Sequence, residues 1–139
     1  MVIFQILFGG VLAAIIGGVT VHFLTIKRDV RNRRRAFRAY IQSVLSELET
    51  MDFKDAVHAG NPYFLYDWKK SLIPCVRTEC ARILEDIPFA RKGEFETLMM
   101  QFSRQGHRRI EPYETKTYEE ERQNLAGILV KMKECAKDW

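Results

Sequence analysis

Residues 2–26 (VIFQILFGGVLAAIIGGVTVHFLTI) contain no Asp, Glu, Lys or Arg, and a dense cluster of basic residues follows at once. A bilayer core about 30 Å thick needs roughly 20 apolar residues at 1.5 Å rise each. Only an intact helix hides its own backbone polar groups from lipid. The run therefore predicts one membrane-spanning helix at residues 1–26, acting as an uncleaved signal-anchor, and limits every other expectation to the remaining chain.

The flank after the run, residues 27–38, carries seven cations and the single anion Asp29. Before the run there is only the α-amino group of Met1. Excess Lys and Arg stays cytoplasmic. The expected topology is single-pass in an inner or plasma membrane, with the N-terminus outside and the C-terminal domain in the cytoplasm. A cleaved signal peptide has its basic residues before a shorter apolar stretch of about 7–15 residues and ends in small residues. This sequence has the charge on the other side, a longer run and no A-x-A closure.

The chain's net charge of +4 is unevenly placed. Residues 27–38 sum to +6, so those after Arg38 sum to −2 and do not form a nucleic-acid-binding surface. A basic helix leading into an apolar stripe has the order of a leucine-zipper basic region, but Leu does not recur at every seventh position. Cys75, Cys80 and Cys135 are odd in number and lack C-x-x-C spacing, which fits a reducing compartment better than a disulfide framework. Residues 39–139 are enough for one compact domain.

Neither Gly nor Pro occurs between Gly18 and Gly60. Phe37, Ile41, Val44, Leu48 and Met51 are spaced by 4, 3, 4 and 3, one helical stripe. A single helix is expected from the bilayer to about Phe53 or Val57. Ala59-Gly60-Asn61-Pro62 should break it, with Asn61 as N-cap and Pro62 opening the next helix. That helix carries Leu65, Trp68, Leu72, Val76, Cys80, Ile83 and Ile87. Pro74 within it either kinks the helix near Lys70 or lies in the first turn of a fresh one capped by Ser71. Pro88 should end it.

Phe95, Leu98, Met99 and Phe102 predict a shorter helix over about 91–105. Residues 106–115 read as a loop, and Thr117 with Glu120 as a capping box. Tyr118, Leu125, Ile128, Leu129, Met132 and Cys135 give the final helix one apolar face. Glu119, Glu120 and Glu121 read as a solvated first turn that complements the helix dipole. No segment alternates with period two. The expected class is all-α: a long helix leaving the membrane, then a small antiparallel helical bundle.

At 100° per residue, Gly9, Gly10, Ala13, Ala14, Gly17 and Gly18 gather on one side of the anchor. Phe4, Phe8, Leu12, Ile15, Val19, Phe23 and Ile26 gather opposite. Gly9-Ala13-Gly17 and Gly10-Ala14-Gly18 are two overlapping small-xxx-small registers, which let helix backbones approach closely. Glycine is also commoner in membrane helices generally, so the pattern predicts self-association or a membrane-protein partner without requiring it. His22 is the ionisable residue of the run, about one turn from Lys27 and so near the lipid headgroups. Lys27, Arg28, Arg31, Arg34, Arg35 and Arg38 are the expected contacts to anionic lipid, worth about 1 kcal/mol per basic residue near the surface.

Catalytic patterns are not found. His22, His58 and His107 are scattered, and G-x-S-x-G, Walker and H-E-x-x-H motifs are missing. Residues 104–109 form a polar Arg- and His-bearing stretch able to meet an anion. Cys75, near Lys70 and Arg77, is read as a structural thiol, and Tyr63, Phe64, Tyr66 and Trp68 as core packing. No cofactor, metal or small-molecule substrate is identified. The functional expectation is a membrane-tethered interaction or scaffold module. The alternatives are a small effector that assembles and permeabilises the bilayer, and an anchored enzyme using Cys75 or Arg108 and His107.

Overall fold

A computed structural model describes residues 2–50, 64–107 and 115–138. Four α-helices and one 3-10 turn account for them: α1 (Val2–Glu49), α2 (Phe64–Ile83), the turn Leu84–Asp86, α3 (Phe89–His107) and α4 (Thr115–Cys135). There is no strand among the described residues. The chain divides into two compact units, Met1–Asn32 and Arg33–Trp139, and α1 contributes to both.

α1 is uninterrupted for 48 residues, as the lack of Gly and Pro after Gly18 dictates. Its last turn is closed by Thr50, whose N–H reaches the carbonyls of Ser46 and Glu47. The expected continuation to Phe53 or Val57, the break at 59–62 and the Asn61 cap lie outside the described residues. So do the side chains of the aromatic group at 63–68 and of Tyr118.

The second unit is built on the apolar stripes. Phe37, Ile41, Val44, Leu45 and Leu48 of α1 are buried with Ile73, Val76, Cys80 and Ile83 of α2. Phe95, Leu98 and Phe102 of α3 and Leu125, Leu129 and Met132 of α4 complete the same cluster. Phe37 and Phe95 meet edge to face with centroids 5.8 Å apart, the arrangement that aromatic quadrupoles favour.

Pro74 lies inside α2, which runs through it as one helix, so no new helix starts at Ser71. An internal proline costs about 3 kcal/mol. Burial of side chains such as Val76 and Ile83, about 1.5–3 kcal/mol each, outweighs it. The second proline acts differently. Ile87, before Pro88, is extended at φ −72°, ψ 133°, as the clash with a following proline ring demands. Helix α2 thus tightens into the 3-10 turn, and α3 restarts after Pro88 with Arg91 N–H on the Pro88 carbonyl at 2.8 Å.

Three expectations are corrected. Gly106 and His107 belong to α3 and not to a loop, because Gly106 is packed against Ile73. α4 begins at Thr115, which places Thr117 in its first turn and not at the cap. Glu121 is buried, 3% exposed, not solvated, because the Gln105 amide of α3 donates to its carboxylate.

Candidate functional site

The apolar half of α1 leaves its large side chains uncovered. From Phe8 to Ile26 the large hydrophobic residues are 48–65% exposed, and a Cβ added at Gly9, Gly10, Gly17 or Gly18 would meet nothing within 4 Å. Ala13 and Ala14 are exposed with them. Thr20 and Thr25 turn their hydroxyls back onto the carbonyls of Ile16 and Val21, both at 2.8 Å. That satisfies these hydroxyls within the helix itself, a pattern the apolar spacing did not reveal. Gln5 and His22 are exposed.

The basic collar proves to be two sets of residues. Lys27, Arg28, Arg31 and Arg35 are exposed and form no ion pair among the described residues. Arg34 and Arg38 are half-buried and held by the second unit's own acceptors. Arg34 donates through Nε to the Asp86 carbonyl at 2.6 Å and through Nη1 to Asp138 Oδ1 at 3.2 Å. Arg38 donates to the Ala136 carbonyl at 2.7 Å, with its other nitrogen 3.7 Å from Asp138 Oδ2. These two serve the helical core instead of lying open along the flank with Arg31 and Arg35.

Arg33 completes this cluster. Its guanidinium makes a two-pronged contact with the Asp86 carboxylate, Nε to Oδ2 at 2.6 Å and Nη2 to Oδ1 at 3.0 Å. Asp86 is 9% exposed, and a buried carboxylate is tolerated only when paired in this way. From the other side Arg91 donates to the carbonyls of Glu134, Cys135 and Lys137, at 3.0–3.3 Å. A helix C-terminus leaves its last carbonyls unsatisfied and carries partial negative charge. Four arginines therefore fasten the end of α4 and the 3-10 turn. Sequence spacing gave no sign of this, since the partners lie up to 104 residues apart.

The thiols are separated by burial. Cys75 is exposed, with its Sγ 3.8 Å from the Ser71 carbonyl, whereas Cys80 and Cys135 are buried. Desolvation pushes the Cys80 thiol up to about 12 and raises Cys135 as well, so both are held neutral at physiological pH. Among the described residues no three His, Cys, Asp or Glu side chains lie close enough to hold a metal ion. His58, Arg108 and Arg109 lie outside the described residues, as does the side chain of His107.

No family model, curated protein or solved structure matches the chain.

Proposed function

We propose that this chain is a single-pass membrane protein whose N-terminal helix tethers a helical interaction module to the inner or plasma membrane. The supporting observation is the state of α1: one helix long and apolar enough to cross a bilayer, its large side chains between Phe8 and Ile26 left 48–65% exposed by the fold. At about 25 cal/mol per Å², that apolar surface is strongly driven out of water. A core helix of a soluble domain would have been covered. The back-bonded Thr20 and Thr25 suit the same environment.

In this reading residues 39–139 lie in the cytoplasm, and the exposed Lys27, Arg28, Arg31 and Arg35 meet anionic headgroups. The open face of Gly9, Gly10, Ala13, Ala14, Gly17 and Gly18 packs against a second copy or a membrane-protein partner. Its role is binding; neither catalysis nor nucleic-acid recognition enters it.

Extraction at alkaline pH tests the tether. The full chain is expected to stay with the vesicles after carbonate washing, and its release, or a monodisperse solution in plain buffer, overturns the proposal. The contact face is tested separately in a membrane dimerisation assay. Leu at Gly10, Ala14 and Gly18 is expected to weaken association, and an unchanged signal rejects that face while leaving the tether standing.

A further inference from the structure

A groove of about 510 Å³ opens between α2 and α3, wholly inside the unit Arg33–Trp139. Its floor is made by the buried Val76, Cys80 and Phe102. Met99 and Met100 form one lip, and Met100 stands 57% exposed although it is large and apolar. A volume of this size falls within the range of ligand pockets, which are mostly apolar with a few placed polar groups. Methionine walls are flexible and polarisable, and adapt to chains of varying shape.

The charges at its mouth are ordered along its length. Helices α2 and α3 extend to the same side of the short turn at Leu84–Asp86 and run antiparallel side by side, because Ile73, far from that turn in α2, packs against Gly106, far from it in α3. Arg77 lies one turn from Ile73, and Arg104 two residues from Gly106, so both mark the same end of the groove. Neither forms an ion pair or hydrogen bond among the described residues. Ser103 lies beside them. Glu96 also borders the groove, but eight residues before Arg104, which at 1.5 Å per residue is about 12 Å away. The other end, toward Leu84, is apolar at its floor.

We infer that this groove binds a single-chain anionic amphiphile, its acyl chain along Val76, Cys80, Met99 and Met100 and its acidic head between Arg77 and Arg104. Two guanidinium groups on neighbouring helices match a carboxylate or a phosphate equally well. The chain displaces water from the floor, and the neutral Cys80 thiol is an inert part of that wall. The inference does not depend on the membrane tether, since the site lies in the second unit.

The probe is palmitic acid carrying a diazirine on its chain, added to the full chain in phosphatidylcholine nanodiscs and photolysed, with labelled peptides mapped by mass spectrometry. Saturable labelling is expected within residues 76–84 and 99–104. Arg77→Gln with Arg104→Gln should reduce it at least fivefold while the circular dichroism melt is unchanged, both side chains being exposed. Competition by oleate should indicate a carboxylate head and competition by lysophosphatidate a phosphate head, and either supports the site. Methyl oleate, uncharged, should not compete. Equal competition by methyl oleate, undiminished labelling of the double variant, or label confined to residues 2–26 overturns the inference. Labelling seen only in discs with one copy would mean that a second copy fills the groove, and likewise overturns it.

Discussion

Cys80 shows how far one side chain's chemistry is set by its surroundings. A free thiol titrates near pH 9.0, and burial in the core pushes this one up to about 12. Below pH 9 the thiol is protonated in both the folded and unfolded states, so it adds no pH dependence. Between pH 9 and about 12 only the unfolded state releases the proton, and stability falls by about 1.4 kcal/mol per pH unit for one such group. Burial of Cys135 and Tyr40 acts with the same sign. Chemical unfolding of the full chain at stepped pH is therefore expected to show constant stability to pH 9 and decline above it. Cys80→Ala should be less stable throughout, because of the cavity, but should lose stability less steeply above pH 9. An identical slope in both proteins would place Cys80 in contact with water. Cys75, exposed on the same helix, should react with a maleimide in the native state while the other two thiols wait for unfolding.

Among the helices, two glycines of similar appearance in the sequence have opposite roles. A Cβ at Gly106 would lie 2.6 Å from Ile73 Cγ1, and Ile73 is itself buried. Gly127 in α4 has nothing within 4 Å. Gly106→Ala gains about 1 kcal/mol of helix propensity but loses about 1–3 kcal/mol to overpacking. Gly127→Ala takes the gain alone. Thermal melts should show Tm falling for the first variant and rising for the second. A rise in both would mean that α2 and α3 are not held at this close approach. The end of α4 depends on Arg91, whose guanidinium serves the carbonyls of Glu134 and Cys135 and that of Lys137 just beyond the helix. Charged hydrogen bonds of this kind, partly solvated, are worth about 1–2 kcal/mol together. Arg91→Ala is expected to speed amide hydrogen exchange at Ala136 and Lys137 about tenfold with little change in α1. Equal rates in both proteins would show that Arg34 and Arg38 hold the end unaided.

For the molecule as a whole, the two compact units imply separable behaviour. Among the described residues the buried cluster begins at Phe37. Deleting 1–27 should therefore leave a helical domain that is soluble in plain buffer and melts cooperatively by circular dichroism. Aggregation or loss of helix would show that the core needs its N-terminal segment. The groove between α2 and α3 should keep its label in this shortened chain.

The sequence by itself determined the all-helical class, the single long apolar helix and most of the core, because each follows from local periodicity. Residues at spacings of three and four, such as Phe37, Ile41, Val44 and Leu48, are buried as their stripe requires. Leu45 and Ile73, one position off the stripes that spacing marked, are buried too, since a helix packed by several neighbours covers more than one narrow line. Only the tertiary structure decided the rest. Arg33 and Arg34 find Asp86 across more than fifty residues, Glu121 is sheltered by an amide from another helix, and Arg77 comes level with Arg104 at one groove mouth. Ionic and hydrogen-bonding partners are chosen by proximity in space, which a one-dimensional pattern of residue types does not encode, whereas a helix's apolar face is written at fixed intervals along the chain.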